Sequence, residues 1–304
     1  MSEIKNYNEV TEIAGKHLGK VGGDGYKDSY DPELLVAIPR TLNREAYGIE
    51  EGSLPFHGVD VWNAYEISAL TNKGLPVSGM MKIVCPSDST YHVESKSIKL
   101  YLNSFNMTRF GDSAEQCVML LEEAVAKDLS EKLETDVRVK MFTDETADSF
   151  SFQGYTKLGY LCDLDMLLFD TFHSDYKALK TVNTYDNAQV FKIQSDLLRS
   201  NCRVTNQPDW GDVFIYMEDA NEPDYNSLAK YIVSHRKVSH FHEEICEMIF
   251  THFTNAYKPD KLMVACLYTR RGGIDINPIR ASHPELLPSA FLDEEIRLRK
   301  TLRQ

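Results

Sequence analysis

The sequence predicts an α+β protein in which helices cover one face of antiparallel sheets. Each half of the chain shows the order strand, helix, helix, strand in its hydrophobic periodicity. The helices are grouped between pairs of strands instead of alternating with single strands, which argues against a doubly wound sheet. No G-x-G-x-x-G follows a strand-like segment, and the glycines between Gly19 and Gly25 have neither that spacing nor that context.

The first half begins with about 60 residues rich in Gly, Pro and polar side chains, which predict extended and turn structure that wraps a surface or an interface. Its regular elements are a strand hairpin, two helices and a further strand, over the ranges 59–86, 95–105, 113–134 and 137–142. The hairpin turns at Asn-Lys-Gly-Leu-Pro. The second helix opens on Asp112 or Ser113 with Glu115 or Gln116 three residues on, a capping-box pattern.

The second half repeats this order, over the ranges 212–220, 223–236, 241–257 and 261–269, with a short hairpin into 274–280. The two halves share little residue identity, so the duplication is inferred from the pattern alone. The periodicity breaks between about 145 and 185. We therefore predict a first module over 1–165 and a second over 166–304.

The amino-acid composition and net charge exclude several classes of function. The chain has 304 residues, of which 42% are hydrophobic and 26% charged, as in a globular protein. Its formal charge of −13 argues against duplex nucleic acid, because that affinity comes from clustered Lys and Arg. Six separated cysteines without a CxxC, and no apolar leader, predict free thiols in a reducing cytoplasm. No window approaches the roughly 18 apolar residues of a membrane span.

Residues 200–210 set one thiol, Cys202, and one carboxyl, Asp209, on either side of a short extended segment that ends at a Pro turn. A thiolate adds to an electron-poor carbon when a neighbouring acid neutralises the charge that develops. The pair therefore suggests covalent thiol catalysis. The alternative is a core cysteine beside a turn or helix-cap aspartate.

Glu94 stands directly before a helix whose first residues are Ser95, Lys96 and Ser97. A helix N-terminus has free N–H groups and a positive dipole end, and with Lys96 and Lys99 it can hold a phosphate or another anion. An ordinary capped, lysine-rich surface helix explains the same residues.

Phe241, His242 and Glu243 open the last long helix. A carboxylate can accept two parallel hydrogen bonds from the edge of a guanine-like or pterin-like base, and an aromatic ring can stack on that base. A solvated helix start, or a metal site using His240, His242 and Cys246, are the alternatives. Since only one histidine fits the H-E-x-x-H frame and no CxxC supports it, we predict no metal.

Arg270, Arg271, Gly272 and Gly273 lie between two strand-like segments. Two guanidiniums beside flexible backbone can hold a phosphate bidentately, which favours a 2′-phosphorylated nicotinamide nucleotide. A hairpin turn with solvated arginines is an equally simple interpretation. A dinucleotide would have to bind outside a Rossmann fold.

These segments together resemble the QueF family, the NADPH-dependent 7-cyano-7-deazaguanine nitrile reductases of the queuosine pathway. The family signature Glu-[Ser/Leu]-Lys-[Ser/Ala]-x-Lys-[Leu/Tyr]-[Tyr/Phe] is matched in full from Glu94 to Tyr101. The two-module branch looks like this chain from end to end, in YDPELLVAIPR, ESKSIKLYLNSFN, SNCRVTNQPDW, FHEE and YTRRGGIDINP.

The resemblance implies tandem tunnelling-fold (T-fold) modules, a homodimer and a deazaguanine substrate bound without direct nucleic-acid contact. It makes Cys202 the nucleophile and Asp209 the proton donor. The implied substrate contacts are Val93, Glu94, Ser95, Phe241, His242 and Glu243, and the implied cofactor contacts are Ser95, Lys96, Arg270, Arg271 and Gly272.

The implied chemistry is reduction of a nitrile to a primary amine through a covalent Cys202 thioimide, with two NADPH consumed per turnover. It predicts an Asp209 whose pKa is raised enough to keep it protonated near neutral pH, a Cys202 that is partly thiolate, and a lid around Phe241 and His242. Two rival functions remain open: a zinc-dependent, pterin-forming cyclohydrolase of the same fold, and a non-catalytic module that binds a purine-like ligand.

Overall fold

The protein is described by a computed structural model over residues 29–143, 149–301 and 304. The predicted turn structure before residue 29 lies outside these residues. The strands are β1 (Ala37–Pro39), β2 (His57–Leu70), β3 (Pro76–Pro86), β4 (Tyr91–Val93), β5 (Arg138–Phe142), β6 (Ser149–Phe150), β7 (Thr156–Lys157), β8 (Thr181–Ser195), β9 (Arg199–Asn201), β10 (Pro208–Pro223), β11 (Lys261–Tyr268), β12 (Ile274–Ala281) and β13 (Arg297–Leu298). The α-helices are α1 (Thr41–Arg44), α2 (Ser95–Asn103), α3 (Ala114–Leu133), α4 (Tyr225–Ser234), α5 (His242–Tyr257) and α6 (Ser289–Leu292).

One large sheet runs through both halves of the chain, in the order β5, β3, β2, β12, β11, β10, β8, β7, with β9 paired to β10. All its neighbours are antiparallel except β7 and β8. The halves join where β2 pairs with β12, with Trp62 opposite Ile276. The predicted α+β class is confirmed. Since β7 pairs with β8 of the second half, the boundary at residue 165 stays a prediction.

The helices pack on one face of this sheet because their apolar residues form a stripe. In α3 the buried side chains recur every three or four residues, at Cys117, Leu121, Val125, Leu129 and Leu133. The helix begins as predicted at Ser113, whose hydroxyl accepts a hydrogen bond from the N–H of Gln116 (3.2 Å). Helices α2 and α3 cover the first half of the sheet, and α4 and α5 cover the second half.

The opposite face is covered in part by the chain around Phe150 to Tyr155 and by the segment from Leu286 to Leu298. The buried ammonium of Lys82 fastens this last segment, donating to the carbonyls of Ala290 (2.5 Å), Asp293 (2.6 Å) and Ile296 (2.7 Å). No helix in the described ranges is both long and apolar enough to cross a membrane.

Strand β8 was missed by the sequence prediction, and β10 begins earlier than expected. From Thr181 to Val190 every residue of β8 is exposed, and these residues are mostly polar. Such a segment lacks the alternation of a half-buried strand, so hydrophobic periodicity cannot detect it. The strand is stabilised by its antiparallel pairing with β10.

The segment before β2 runs across both halves, as expected for a chain that wraps a surface. Its N-terminal end contacts the first half, where the N–H of Tyr30 donates to Thr108 (3.0 Å). Its C-terminal end contacts α5, where Arg44 donates to Glu247 (2.8 Å). The N–H of Val36 donates to the hydroxyl of Ser97 in α2 (3.1 Å), so this segment connects α2 to α5.

Candidate active site

A pocket opens where the first turns of α2 and α5 meet the hairpin of β9 and β10. Its space, counted together with its open mouth, is about 560 Å³. Both halves of the chain contribute to its lining, which consists of Trp62, Val93, Ser95, Lys96, Lys99, Cys202, Asp209, His240, Phe241, His242, Glu243, Arg271, Ile274 and Ile276.

Cys202 starts the loop that connects β9 to β10. Its N–H donates to the carbonyl of Gln207 (2.8 Å), and its carbonyl accepts from the N–H of Asn206 (2.9 Å). Asn206 adopts a positive φ of 54°, which Asn tolerates better than most residues. These bonds fold the loop into a tight turn in which the partly exposed, free thiol of Cys202 faces the pocket.

Asp209 is 3% exposed and holds two cationic partners. Its carboxylate accepts a hydrogen bond from Arg271 and lies 3.4 Å from Nε2 of His242. Burial alone raises the pKa of Asp209, but His242 and Arg271 outweigh it and lower this pKa below its ordinary value. The prediction of a raised pKa was therefore wrong, because it could not include a guanidinium 62 residues away in the chain.

His242 is held flat against a buried tyrosine. Its ring stacks on Tyr268 with 3.9 Å between centroids and 18° between planes. This stacking fixes the direction in which Nε2 meets Asp209. The pair of His242 and Asp209 can therefore share a proton at a defined place in the pocket.

Glu243 is buried at 3% exposure, and its Oε1 has no hydrogen-bond partner among the described residues. Nδ1 of His92 lies 4.0 Å away, beyond hydrogen-bond range and likewise unpartnered within the described chain. Burial lowers the pKa of His92 to about 4, so this ring is neutral near pH 7. Burial, followed by the charge of Asp60, raises the pKa of Glu243 to about 8. A buried acceptor left open in this way is suited to a ligand that brings its own donors.

Glu244 performs the structural task beside it. Its carboxylate accepts from the N–H of Phe241 (2.9 Å), which closes the start of α5, and from Nη1 of Arg203 (2.9 Å). Nδ1 of His240 lies 3.3 Å away. Arg203 follows Cys202 directly in the chain. Its ion pair with Glu244 therefore connects the loop that begins at Cys202 to the first turn of α5.

A network of buried ion pairs lies close enough to Glu243 to act on its charge. Asp60 binds both Arg40 (2.6 Å) and Arg280 (2.8 Å), and Glu247 binds both Arg280 (2.9 Å) and Arg44 (2.8 Å). These arginines lower the pKa of Asp60 to about 2. The sequence analysis missed this network, because its members come from four separated segments of the chain.

Glu94 occupies a different environment from Glu243. Its carboxylate caps its own helix, accepting from the N–H groups of Lys96 (3.0 Å) and Ser97 (2.7 Å). Two of the N–H groups that we expected to hold an anion are thus already paired. Val93 and Ser95 line the pocket on either side of Glu94, whose substrate contact stays a prediction.

The cationic residues divide between two positions. Lys96, Lys99 and Arg271 line the pocket, whereas Arg270 lies over the ring of Tyr65, 4.2 Å from its centroid. Gly272 and Gly273, with φ of 55° and 76°, form a two-residue hairpin turn between β11 and β12. Lys99 was recognised as part of an anion site, and His240 was considered only as a metal ligand. Trp62, Ile274 and Ile276 carried no sequence signal for the pocket.

Cys246, one of the three residues considered for a metal, lies in the core. Its thiol donates to the carbonyl of Val264 (3.4 Å) and is fully buried. In the part of the chain that the structure describes, no three His, Cys, Asp or Glu side chains are grouped closely enough to hold a metal ion.

A free thiol beside a buried carboxylate, under a cationic rim, is the arrangement of a thiol-dependent enzyme site. Comparison with known proteins identifies the family. A family model described as the N-terminal part of the nitrile reductase 7-cyano-7-deazaguanine reductase matches residues 26–141, and one described as QueF-like protein matches residues 208–286.

Two curated relatives extend the match over the whole chain. The NADPH-dependent 7-cyano-7-deazaguanine reductase of Colwellia psychrerythraea is 36% identical, over 94% of this chain and 98% of its own length. The reductase of the same name from Coxiella burnetii is 38% identical, over 93% and 96%. The chain therefore belongs to the QueF family of nitrile reductases and is an oxidoreductase.

Proposed function

We propose that this protein reduces the nitrile of 7-cyano-7-deazaguanine to the primary amine, with NADPH as the hydride donor, in the queuosine pathway of tRNA modification. One observation carries the proposal: Cys202, Asp209 and the unpartnered Glu243 line the same pocket. The relatives bear the name of this activity over nearly the full chain.

The ring of the substrate is held by Glu243. A deazaguanine presents a ring N–H and an amino group side by side, and a carboxylate accepts both in parallel. Phe241, 7% exposed and in edge contact with His92, supplies an apolar wall beside Glu243. Binding satisfies the buried acceptor that the substrate-free protein leaves open.

The first chemical step adds Cys202 across the nitrile. The Sγ–C bond forms, one C–N π bond breaks, and the nitrile nitrogen gains a proton, which gives a thioimide. Because the pKa of Asp209 is lowered, its carboxylate takes the proton of the thiol and passes it to the nitrogen. No proton from outside the pocket is needed for this addition.

Two hydride transfers complete the reaction. NADPH binds as a co-substrate whose phosphates suit the rim of Lys96, Lys99 and Arg271. The first hydride and a proton convert the thioimide carbon to a tetrahedral centre, and departure of the Cys202 thiolate leaves an imine. A second NADPH reduces the imine to the amine, so two are consumed per nitrile. His242 and Asp209 are placed to supply protons to the nitrogen.

Intact-protein mass spectrometry tests the proposal. Incubation with 7-cyano-7-deazaguanine in the absence of NADPH is expected to add the mass of the ligand to the chain. Cys202→Ala removes the nucleophile and should abolish this addition, while noncovalent binding remains. Cys162→Ala is the matched control, since Cys162 is the other partly exposed thiol among the described residues. An unmodified wild-type chain that still reduces the nitrile would exclude the covalent route.

A homodimer of tunnelling-fold modules is part of the proposal. Between Thr181 and Lys192, β8 pairs only with β10 within the described residues, since β7 meets it at Ile193 and Gln194. An edge strand of this length is a template for a second chain. Light scattering of wild type should give a dimer, and Val182→Lys combined with Val190→Lys should shift it towards the monomer.

A reducing cytoplasm fits the six free cysteines, four of them buried. We propose this location together with the activity.

A further inference from the structure

Arg271 contacts the C-terminal end of the Cys202 loop and the aspartate that follows it, in addition to lining the pocket. Its Nη1 donates to Oδ1 of Asp209, and its Nη2 donates to the side-chain oxygen of Gln207. Gln207 also accepts the N–H of Cys202 through its backbone carbonyl (2.8 Å). One planar guanidinium therefore spans the residue that closes the nucleophile loop and the carboxylate that serves it.

The backbone that carries Arg271 is well suited to fixing a side chain. The N–H of Arg271 donates to the carbonyl of Ile274 (2.9 Å), which closes the two-glycine turn. Gly272 and Gly273 adopt positive φ values of 55° and 76°, a conformation that favours glycine at both positions. Arg271 thus projects from a hydrogen-bonded hairpin turn whose backbone conformation depends on glycine.

The guanidinium also acts on the charge of Asp209. The charged or titratable groups that face this carboxylate are Arg271 from the hairpin turn, His242 from α5, Lys99 from α2 and Tyr268 from β11. Of these, Arg271 and His242 contact it directly.

We propose that Arg271 is a positioning residue for the covalent step: it holds Asp209 and the Cys202 loop in register before NADPH binds. The inference rests on the proposed function and goes beyond a cofactor contact. A cofactor contact affects only reactions that contain NADPH. A positioning role affects thioimide formation without it.

The experiment measures the rate of adduct formation with 7-cyano-7-deazaguanine and no NADPH, by stopped-flow absorbance and intact mass, across pH. Arg271→Ala is expected to slow the adduct about tenfold to a hundredfold, the usual effect of losing a hydrogen bond to a charged group. The rate is expected to fall at low pH, where Asp209 takes up its proton, and we call this part of the pH profile the acid limb. In Arg271→Ala the acid limb should move to higher pH, because the cation that lowers the pKa of Asp209 is gone. Arg271→Lys should return the acid limb part of the way to its wild-type pH and should recover a smaller share of the rate of adduct formation.

Two further variants keep the result interpretable. Arg138→Ala is the matched control. Arg138 lies on the distant strand β5, is half-exposed and pairs with Glu294 (3.0 Å), so its loss should leave the rate of adduct formation unchanged. Gln207→Ala removes one anchor from an exposed position and should give a smaller loss with an unmoved acid limb.

Equal rates and limbs in wild type and Arg271→Ala would overturn the inference while the covalent mechanism stands. The inference would also be overturned if Arg271→Ala formed the adduct more slowly, its acid limb stayed at the wild-type pH, and Arg271→Lys did not recover the rate. Absence of any adduct in the wild type would instead refute the proposed function.

Discussion

The first turns of α2 and α5 meet at one pocket, yet they use their glutamates differently. At α2, Glu94 caps its own helix and its carboxylate is occupied by two backbone N–H groups. At α5, Glu244 does the capping, and Oε1 of the buried Glu243 has no hydrogen-bond partner in the described chain. A second glutamate at the helix start thus separates the structural task from the binding task.

The largest expected effect concerns Glu244. Glu244→Ala breaks the buried ion pair with Arg203 and opens the first turn of α5, so we expect a loss of about 3–5 kcal/mol in the free energy of unfolding. Urea denaturation of the full chain measures it. Glu285→Ala removes an exposed glutamate that pairs with Lys261 at 3.6 Å, and should leave the free energy of unfolding nearly unchanged because solvent screens this pair. Similar losses in both variants would contradict the structural role of Glu244.

Glu243 is expected to matter for binding and not for folding. In the Cys202→Ala background, Glu243→Gln should weaken the calorimetric affinity for 7-cyano-7-deazaguanine by about 1.5–3 kcal/mol, because it replaces a charged acceptor. The free energy of unfolding near pH 7 should not fall, because a neutral amide avoids the cost of burying a carboxyl whose pKa is raised to about 8. Glu94→Gln in the same background should weaken affinity less. Equal losses at the two positions would remove the contrast between the two helix starts.

The pKa of Glu243 predicts a pH dependence for the same complex. Since this pKa is raised to about 8, the carboxylate must lose a proton before it accepts two donors, and affinity should fall about tenfold from pH 7 to pH 6. Because the folded pKa lies above the unfolded value, ionising Glu243 also costs stability as the pH rises towards 8. Titration of Cys202→Ala by calorimetry measures the affinity, and a steep dependence that persists in Glu243→Gln would assign it to another group.

The smallest expected effect is at the cap of α2. Glu94→Ala should lower the free energy of unfolding by about 0.5–2 kcal/mol, the usual effect of losing a helix cap. Asp224→Ala, which removes the cap of α4 (3.1 Å to the N–H of Asn226), provides a comparison of the same kind in the same urea experiment. No loss at Glu94, beside a normal loss at Asp224, would show that the carboxylate of Glu94 is not committed to its helix.

Local patterns predicted the elements that depend on local physics. The hairpin of β2 and β3 and the cap at Ser113 follow from turn residues and spacing. The candidate substrate and cofactor residues line one pocket with three exceptions. Glu94 caps its helix, Arg270 faces Tyr65, and Gly272 lies in the hairpin turn outside the pocket lining. The ionisation of Asp209 and the network around Asp60 depend on contacts between distant segments. No window of sequence contains both partners of such a contact.

The bond from Arg44 to Glu247 spans 203 positions. A ribosome releases the chain from its N-terminus, so Arg44 emerges long before the glutamate it binds. The pocket cannot be completed until α5 has been translated, and a chain truncated before α5 would leave the buried guanidinium of Arg44 without the carboxylate of Glu247.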